Sequence, residues 1–357
     1  MSRVLVAMSG GVDSSVAAAL LAAEGHDVVG ATMKLWGGPS DSGCCSVGDV
    51  EDARRVAQQL GIVHHVFNFS TDFDRHVVDP YVEAHRKGLT PNPCVACNRH
   101  LKFDRFFERG RQLGFDAMAT GHHARIEHGG DGRCRLVRGA DDAKDQSYVL
   151  HMLDQAHLSR VLLPVGEMTK AEVRARAAKL GLRTAAKPDS QDVCFISSTG
   201  GRQAFLGDRM DLRPGRVVDG DGTEVGQVAA VELVTVGQRR GLGLTPAGER
   251  RYAVAVDMAS ATVTVGSEND LAVSTLTIVD VGWVDGEPEE GTQVAVQASA
   301  HGRPIPAVWE GLGNDAAGDA PGPWGRIRLV APIRRVAAGQ SVVLYAGDRV
   351  IGGGTAS

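Results

Sequence analysis

The string Ser9-Gly10-Gly11-Val12-Asp13-Ser14-Ser15, directly after the first apolar run, constrains this chain more than any other feature. Ahead of it, Val4-Leu5-Val6-Ala7 has the makings of a short buried strand. Behind it, Val12 to Glu24 is an Ala- and Leu-rich helical run that stops at Gly25. Two glycines let the backbone turn sharply and come close to a ligand. The helix start presents unpaired N–H groups and the positive end of its dipole. Ser9, Ser14 and Ser15 add hydroxyl donors, and the whole makes a cradle for phosphate. The Gly-Lys-Ser/Thr of the kinase and GTPase loop is missing, and the glycine spacing does not fit the dinucleotide fingerprint. An ordinary helix start with Asp13 as a first-turn acid is the plain alternative. The full string after a strand favours nucleotide binding.

The residues that follow keep alternating between strand and helix patterns. Val28 to Met33 is a second apolar strand candidate. After a loop rich in Gly, Ser and Cys (Gly37 to Ser46), the stripe Val50, Ala53, Val56, Leu60 predicts a helix from Val47 to Leu60. Val63 to Phe69 and Phe115 to Thr120 are further strand candidates, the latter after a helix expected from Asn98 to Leu113. Thr169-Lys170-Ala171-Glu172 is a capping box opening a helix to about Leu180. Alternation of this kind predicts an α/β domain with a parallel sheet covered on both faces. The style changes near Ser198. Turn signals at Arg213-Pro214-Gly215 and Asp219-Gly220-Asp221-Gly222 separate short Val-rich runs, and from Ala253 onward the pattern is mostly β. The expected organisation is an α/β domain over 1–198, a small central β-containing domain over 199–266 and a C-terminal barrel or sandwich over 267–357. A long loop from Gly311 to Gly325 is expected inside the last.

Composition narrows the partners. The 357 residues are 43% hydrophobic and 23% charged, an ordinary globular balance that argues against disorder and coiled coil. No run of about 18 apolar residues predicts a membrane-spanning helix. The N-terminus is a poor signal peptide, so a cytoplasmic location and no membrane partner are expected. A net charge of −5 is not that of a bulk polyanion binder. Yet between Arg86 and Arg111 seven Lys/Arg face only Asp104 and Glu108, a basic window inside an acidic chain. Six cysteines do not make a disulfide scaffold. Cys94-x-x-Cys97 reads instead as redox, metal or nucleophile chemistry. The pairs His64-His65 and His122-His123 lack a third ligand at helical spacing and read as strand-end histidines. Cys44, Cys45 and Cys134 receive no role.

The loop resembles the pyrophosphatase loop of the adenine-nucleotide α-hydrolase-like superfamily, whose members cleave ATP between the α and β phosphates. Further segments choose within it. Thr90-Pro91-Asn92-Pro93-Cys94-Val95-Ala96-Cys97-Asn98, Ala119-Thr120-Gly121-His122-His123-Ala124-Arg125, Lys144-Asp145-Gln146-Ser147-Tyr148 and Lys187-Pro188-Asp189-Ser190-Gln191-Asp192-Val193-Cys194-Phe195-Ile196 closely resemble the tRNA-specific 2-thiouridylases. Thr235 to Gly243, Pro332 to Arg335, Gly339-Gln340 and Gly352 to Gly354 extend the resemblance to nearly the whole chain. It implies an α/β pyrophosphatase-loop domain, a small central β-containing domain and a C-terminal β-barrel. It further implies ATP-dependent 2-thiolation of the wobble uridine of tRNA, with Mg2+ beside the ATP and a cysteine desulfurase or sulfur-relay protein as donor.

By that resemblance Cys194 carries a persulfide and Cys97 is the second, nucleophilic cysteine. Ala7, Met8, Ser9, Gly10, Gly11, Val12, Asp13 and Ser14 hold the ATP, and Met33 and Gly121 border its adenine and ribose. Asn92, Pro93 and Cys94 touch the base, and His122, Lys144, Asp145, Gln146 and Gln340 meet the tRNA. The chemistry stands without the name. A pyrimidine oxygen leaves poorly until AMP is attached to it. A terminal persulfide then supplies a strong sulfur nucleophile, and a second thiol resolves it, leaving a disulfide. Basic neighbours should lower the thiol pKa, as Arg99 and Lys102 would for Cys97.

Many family members carry Asp where this chain has Cys94. Cys94, Cys97 and Cys194 could then hold an iron–sulfur cluster with one open iron for sulfide. Another ATP-dependent adenylating ligase, which would not need the cysteines, and an RNA-binding module with a zinc-held CxxC are the more distant readings. The family's Arg-Tyr pair in the last domain is not found near Ser299 to Arg303.

Overall fold

A computed structural model describes residues 1–35, 47–189, 193–197, 200–244, 250–313 and 324–357, without the side chains of Cys194 and Ser197. The loop Gly37 to Ser46 with Cys44-Cys45, the motif residues Ser190-Gln191-Asp192 and most of the expected loop Gly311 to Gly325 lie outside these residues.

The first strand, Arg3–Ala7, alternates its side chains between two cores. Val4 and Val6 pack with the helix Val12–Ala23, while Leu5 and Ala7 join a second cluster on the other face. Burial on both faces makes it the centre of the sheet. The five strands run in the order Val63–Asn68, Asp27–Lys34, Arg3–Ala7, Ala117–Ala119, Val161–Leu162, and every pairing is parallel. The chain therefore moves outward one way from Arg3–Ala7 and later returns to its other side. That reversal leaves a crevice at the carboxyl end of the central strand, where open α/β sheets bind ligands. The glycine string lies there. The helix Val47–Leu60 has the bounds its apolar stripe predicts. The capping box is formed: Thr169 accepts from Glu172 N, and Glu172 accepts from Thr169 N.

The helix expected from Asn98 starts earlier. Its stretches are α-helical over Pro93–Ala96, π-helical over Cys97–Arg105 and α-helical over Phe106–Gln112. Asn92 caps it, with Oδ1 accepting from Cys94 N at 3.0 Å, and Pro93 takes the first turn, where its missing N–H costs nothing. Cys94 rather than Cys97 thus sits in the first turn.

A four-stranded sheet, ordered Tyr252–Asp257, Thr262–Gly266, Gly215–Val218, Glu224–Val228, forms the central region. The last region is a ring of six antiparallel strands. From Ala272–Trp283 it runs through Trp324–Arg334, Ile305–Gly313, Gln293–Gln297, Ser341–Ala346 and Arg349–Ala356, and the last strand pairs back on the first. Closure removes the free edges. The ring also receives a hairpin from the first region, Ala124–His128 with Cys134–Arg138, through the pairing Arg349↔Val137. Cys134, Leu136, Tyr148 and Leu150 then share one buried cluster with Val343, Tyr345 and Val350. The seam between first and last regions is an apolar core. Among the described residues no helix is long and apolar enough to cross a membrane.

Candidate active site

The glycine string turns tightly against its neighbours. Gly10 is left-handed at φ +75°, and a Cβ there would lie 2.3 Å from the Asp49 carbonyl oxygen. Gly11 precedes the helix Val12–Ala23, which has no side-chain cap. The first-turn amides are therefore left for a ligand. Ser9 N donates to Ser14 Oγ at 3.2 Å, and Ser14 and Ser15 donate from their hydroxyls to the Gly11 carbonyl. From across the crevice Gly121 lies on this turn. A Cβ on it would be 2.5 Å from Ser14 N and 2.7 Å from the Asp13 carbonyl carbon, so only glycine fits. The side chains of Ala7, Met8, Val12 and Met33 are buried, so these residues offer the crevice only their backbone.

A charged network surrounds the cradle. Asp13 Oδ1 is 3.0 Å from His123 Nε2, and Lys170 Nζ donates to both Asp13 oxygens at 2.8 and 2.7 Å. Lys170 Nζ also reaches Asp189 at 2.9 Å, and Asp189 accepts from Lys144 at 2.8 Å and Arg174 at 2.7 Å. On the other side Lys187 Nζ donates to the Gly10 carbonyl at 3.0 Å, Asp49 at 2.6 Å and Asp52 at 2.8 Å. Burial alone would raise the Asp13 carboxyl, but hydrogen bonds from His123 and Lys170 hold it below the usual range. The same contest, won by Lys144 and Lys170, holds Asp189 well below it. Lys170, Arg174, Lys187 and Asp189 escaped the sequence reading as site residues. Lys170 stood out only as the first residue behind a cap, and Lys187 and Asp189 only as the run-up to Cys194.

The sequence-derived tRNA contacts divide. Lys144 is half-exposed but paired with Asp189. Asp145 accepts from Arg138, from the Gly139 and Ser147 amides and from the Ser147 hydroxyl, so it holds its own loop together. Gln146 accepts from His123 N at 2.9 Å. His122 is buried between Thr120, 2.7 Å away, and Lys102, and burial drives its pKa well down. Gln340 donates to the Thr90 carbonyl, at the start of the cysteine motif. Thr90 N donates to Ala338 O at 2.8 Å, and Thr90 Oγ1 donates to Thr235 Oγ1 at 3.3 Å, so barrel and central region both grip this loop. In the basic window, Arg86 pairs with Glu83, Arg105 with Asp72 and Arg111 with Glu108.

Cys94 and Cys97 are both half-buried, three residues apart on one helix. Cys97 and Ala96 pack against the apolar cluster that contains Phe195, and Val193 and Ile196 pack there too. Phe195 meets Phe73, Tyr81 and Phe205 edge-on at centroid distances of 5.5, 5.8 and 5.0 Å. The backbone on both sides of Cys194 thus shares a core with Cys97. Val193, directly before it, is left-handed at φ 52°, a strained conformation for a β-branched residue.

Three family descriptions match in order: tRNA methyl transferase HUP domain over 2–198, tRNA methyl transferase PRC-barrel domain over 203–267, and aminomethyltransferase beta-barrel domain over 273–356. A protein of Chloroflexus aurantiacus named tRNA-specific 2-thiouridylase MnmA is 48% identical over 360 residues, which cover 99% of this chain and 98% of its own. Proteins of the same name in Chloroflexus aggregans and Geobacter metallireducens are 46% and 43% identical. They cover 99% of this chain and 98% and 96% of their own lengths.

Proposed function

The chain belongs to the tRNA-specific 2-thiouridylase family, and from that premise we propose that it uses ATP to replace the 2-oxygen of the tRNA wobble uridine with sulfur. The observation that carries the reading is the shared core of Cys97 and the residues flanking Cys194, in the same domain as the uncapped phosphate turn. The family descriptions speak of methyl transfer, but a phosphate cradle beside cysteines suits adenylation and sulfur chemistry.

ATP, with Mg2+ as its counter-ion, rests its phosphates on Ser9, Gly10, Gly11, Asp13 and Ser14, with Met33 and Gly121 bordering the adenosine. The uridine O2 attacks the α-phosphorus and pyrophosphate leaves. The terminal sulfur of a persulfide on Cys194 attacks C2. Cys97 thiolate then attacks the inner sulfur, the S–S bond breaks, AMP departs with the old oxygen, and a Cys97–Cys194 disulfide remains. A thiol reductant resets it, and a cysteine desulfurase or sulfur-relay protein reloads Cys194. Asn92, Pro93 and Cys94 stand nearest the incoming base. Lys144, Asp145, Gln146, His122 and Gln340 serve the tRNA face, of which the buried Asp145 and His122 act by shaping the loop. A basic rim around the cysteine helix supplies phosphate contacts to a flipped wobble base.

The test is incubation with tRNA, ATP, Mg2+ and a persulfide source, followed by nucleoside analysis. We expect 2-thiouridine from the native protein and a loss of at least about 10³-fold in Cys97→Ser and Cys194→Ser, each with ATP binding intact. No product under aerobic and anaerobic conditions alike would refute the reading.

One observation favours a second route to the same product. Cys94 and Cys97 are half-buried at i, i+3 on one helix, a spacing that suits two ligands of an iron–sulfur cluster with Cys194 as the third. Such a cluster would supply an open iron to hold sulfide. Here Cys94→Ser should abolish both the iron content of anaerobically purified protein and thiolation, whereas on the persulfide route it disturbs only a base contact and thiolation persists at a reduced rate.

A further inference from the structure

Among the described residues around the phosphate turn, each of the cations Lys144, Lys170, Arg174 and Lys187 already has an anion. Lys170 Nζ bridges Asp13 and Asp189, Lys144 and Arg174 close on Asp189 as well, and Lys187 is held by Asp49 and Asp52. Asp189 is the unusual member. One carboxylate, a third exposed, takes charged hydrogen bonds from three separate side chains at 2.7 to 2.9 Å. Three converging donors of this kind are what a phosphate group attracts, and a surface aspartate seldom gathers so many. Lys170 places that cluster one side chain from Asp13, in the first turn of the cradle's helix. Three cations set against the carboxylates of Asp13, Asp189 and Asp141, the last accepting from Lys170 N at 2.9 Å, leave no positive charge to spare. A polyphosphate brings several negative charges that the cluster cannot balance as it stands. It and the Asp189 carboxylate compete for the same donors.

We infer that Asp189 is a resident anion, occupying on Lys144, Lys170 and Arg174 the place of the nucleotide's leaving phosphates, and that nucleotide binding expels it. This rests on the proposed phosphate-loop reading and deepens it. Asp189 lies five residues ahead of Cys194 in the sequence. Lys144, Lys170 and Arg174 act as binding residues, and Asp189 as a positioning residue.

Calorimetric titration of the full chain with inorganic pyrophosphate and with α,β-methylene-ATP tests this. Asp189→Asn should bind pyrophosphate about tenfold more tightly than the native protein, the effect of freeing charged hydrogen bonds from an internal rival. Glu167→Gln, which removes an equal charge paired with Arg125, should stay within twofold. Lys144→Met, at a half-exposed position tolerant of change, should bind pyrophosphate several-fold more weakly. Unchanged or weakened pyrophosphate binding in Asp189→Asn would make Asp189 a plain structural clamp. A native protein that binds neither probe would overturn the phosphate-loop reading itself.

Discussion

Around Asp13 side chains are fixed by charge and hydrogen bonds: His123, Lys170, Asp189, Lys144 and Arg174 form one continuous polar chain. Around Cys97 and the backbone of Cys194 the packing is apolar, built from Phe195, Phe73, Tyr81 and Phe205. Directional bonds fix atoms to within fractions of an ångström, which in-line attack at phosphorus requires. Apolar contact is non-directional and tolerates sliding. The proposed persulfide route uses that tolerance, because in it one thiol first reaches the base and is then reached by its partner. The strained Val193 marks the point where the two regimes meet.

The contrast can be broken from either side. Phe195→Ala should have the largest effect, since removing a buried aromatic ring costs about 3–5 kcal/mol. Denaturant midpoints should fall accordingly, and thiolation should fall further than pyrophosphate binding. Equal losses would mean that the two ends are one unit. Gly121→Ala should do the reverse. Its methyl would meet the Ser14 amide at 2.5 Å. We expect a loss of about 10²-fold in kcat/KM for ATP with Cys97 alkylation unchanged.

Acid should act in two phases. His151, buried at the barrel seam with Nδ1 2.9 Å from the Tyr148 carbonyl, is pushed by burial down to about 4 from 6.5. The unfolded chain takes up that proton first, so its contribution is complete above pH 6.5 and is lost as pH falls toward 4, at up to about 1.4 kcal/mol per pH unit. Asp13 and Asp189 are depressed below 3.8, so their contribution is complete above that value and is lost only at lower pH. Urea midpoints between pH 7 and pH 3 should fall first in this histidine phase, to which the buried His122 beside Gly121 also contributes, and His151→Gln should shrink that phase without removing it. The smallest effect is expected from Gln340→Ala, which removes one hydrogen bond to Thr90, about 1 kcal/mol, and should lower thiolation a few-fold with ATP binding untouched.

What the sequence disclosed was mostly local. The strand–glycine–helix turn, the stripe of Val47 to Leu60 and the capping box at Thr169 each depend on residues within a few positions. The cysteine helix begins five residues ahead of the Asn98 that its pattern suggests, although Asn92-Pro93 already spells a cap and a first turn. What stayed hidden was non-local. The hairpin of Cys134 joins the barrel through Val137 and Arg349, which no short-range pattern links. Lys170 and Asp189 become site residues only because folding lays one helix start beside another loop. Exposure was equally illegible: nothing in His122-His123 announces that His122 is buried between Thr120 and Lys102.

Thr90 is bound by Ala338 and Gln340, and Gln340 is 250 positions further along the chain. On the ribosome that interval is a wait. The phosphate turn and the cysteine helix emerge early, while the clamp that seats the helix's leading loop is translated long afterwards. A nascent chain holding the nucleotide-binding half would therefore be assembled but unarmed, and sulfur chemistry would begin only after the closing strands had formed.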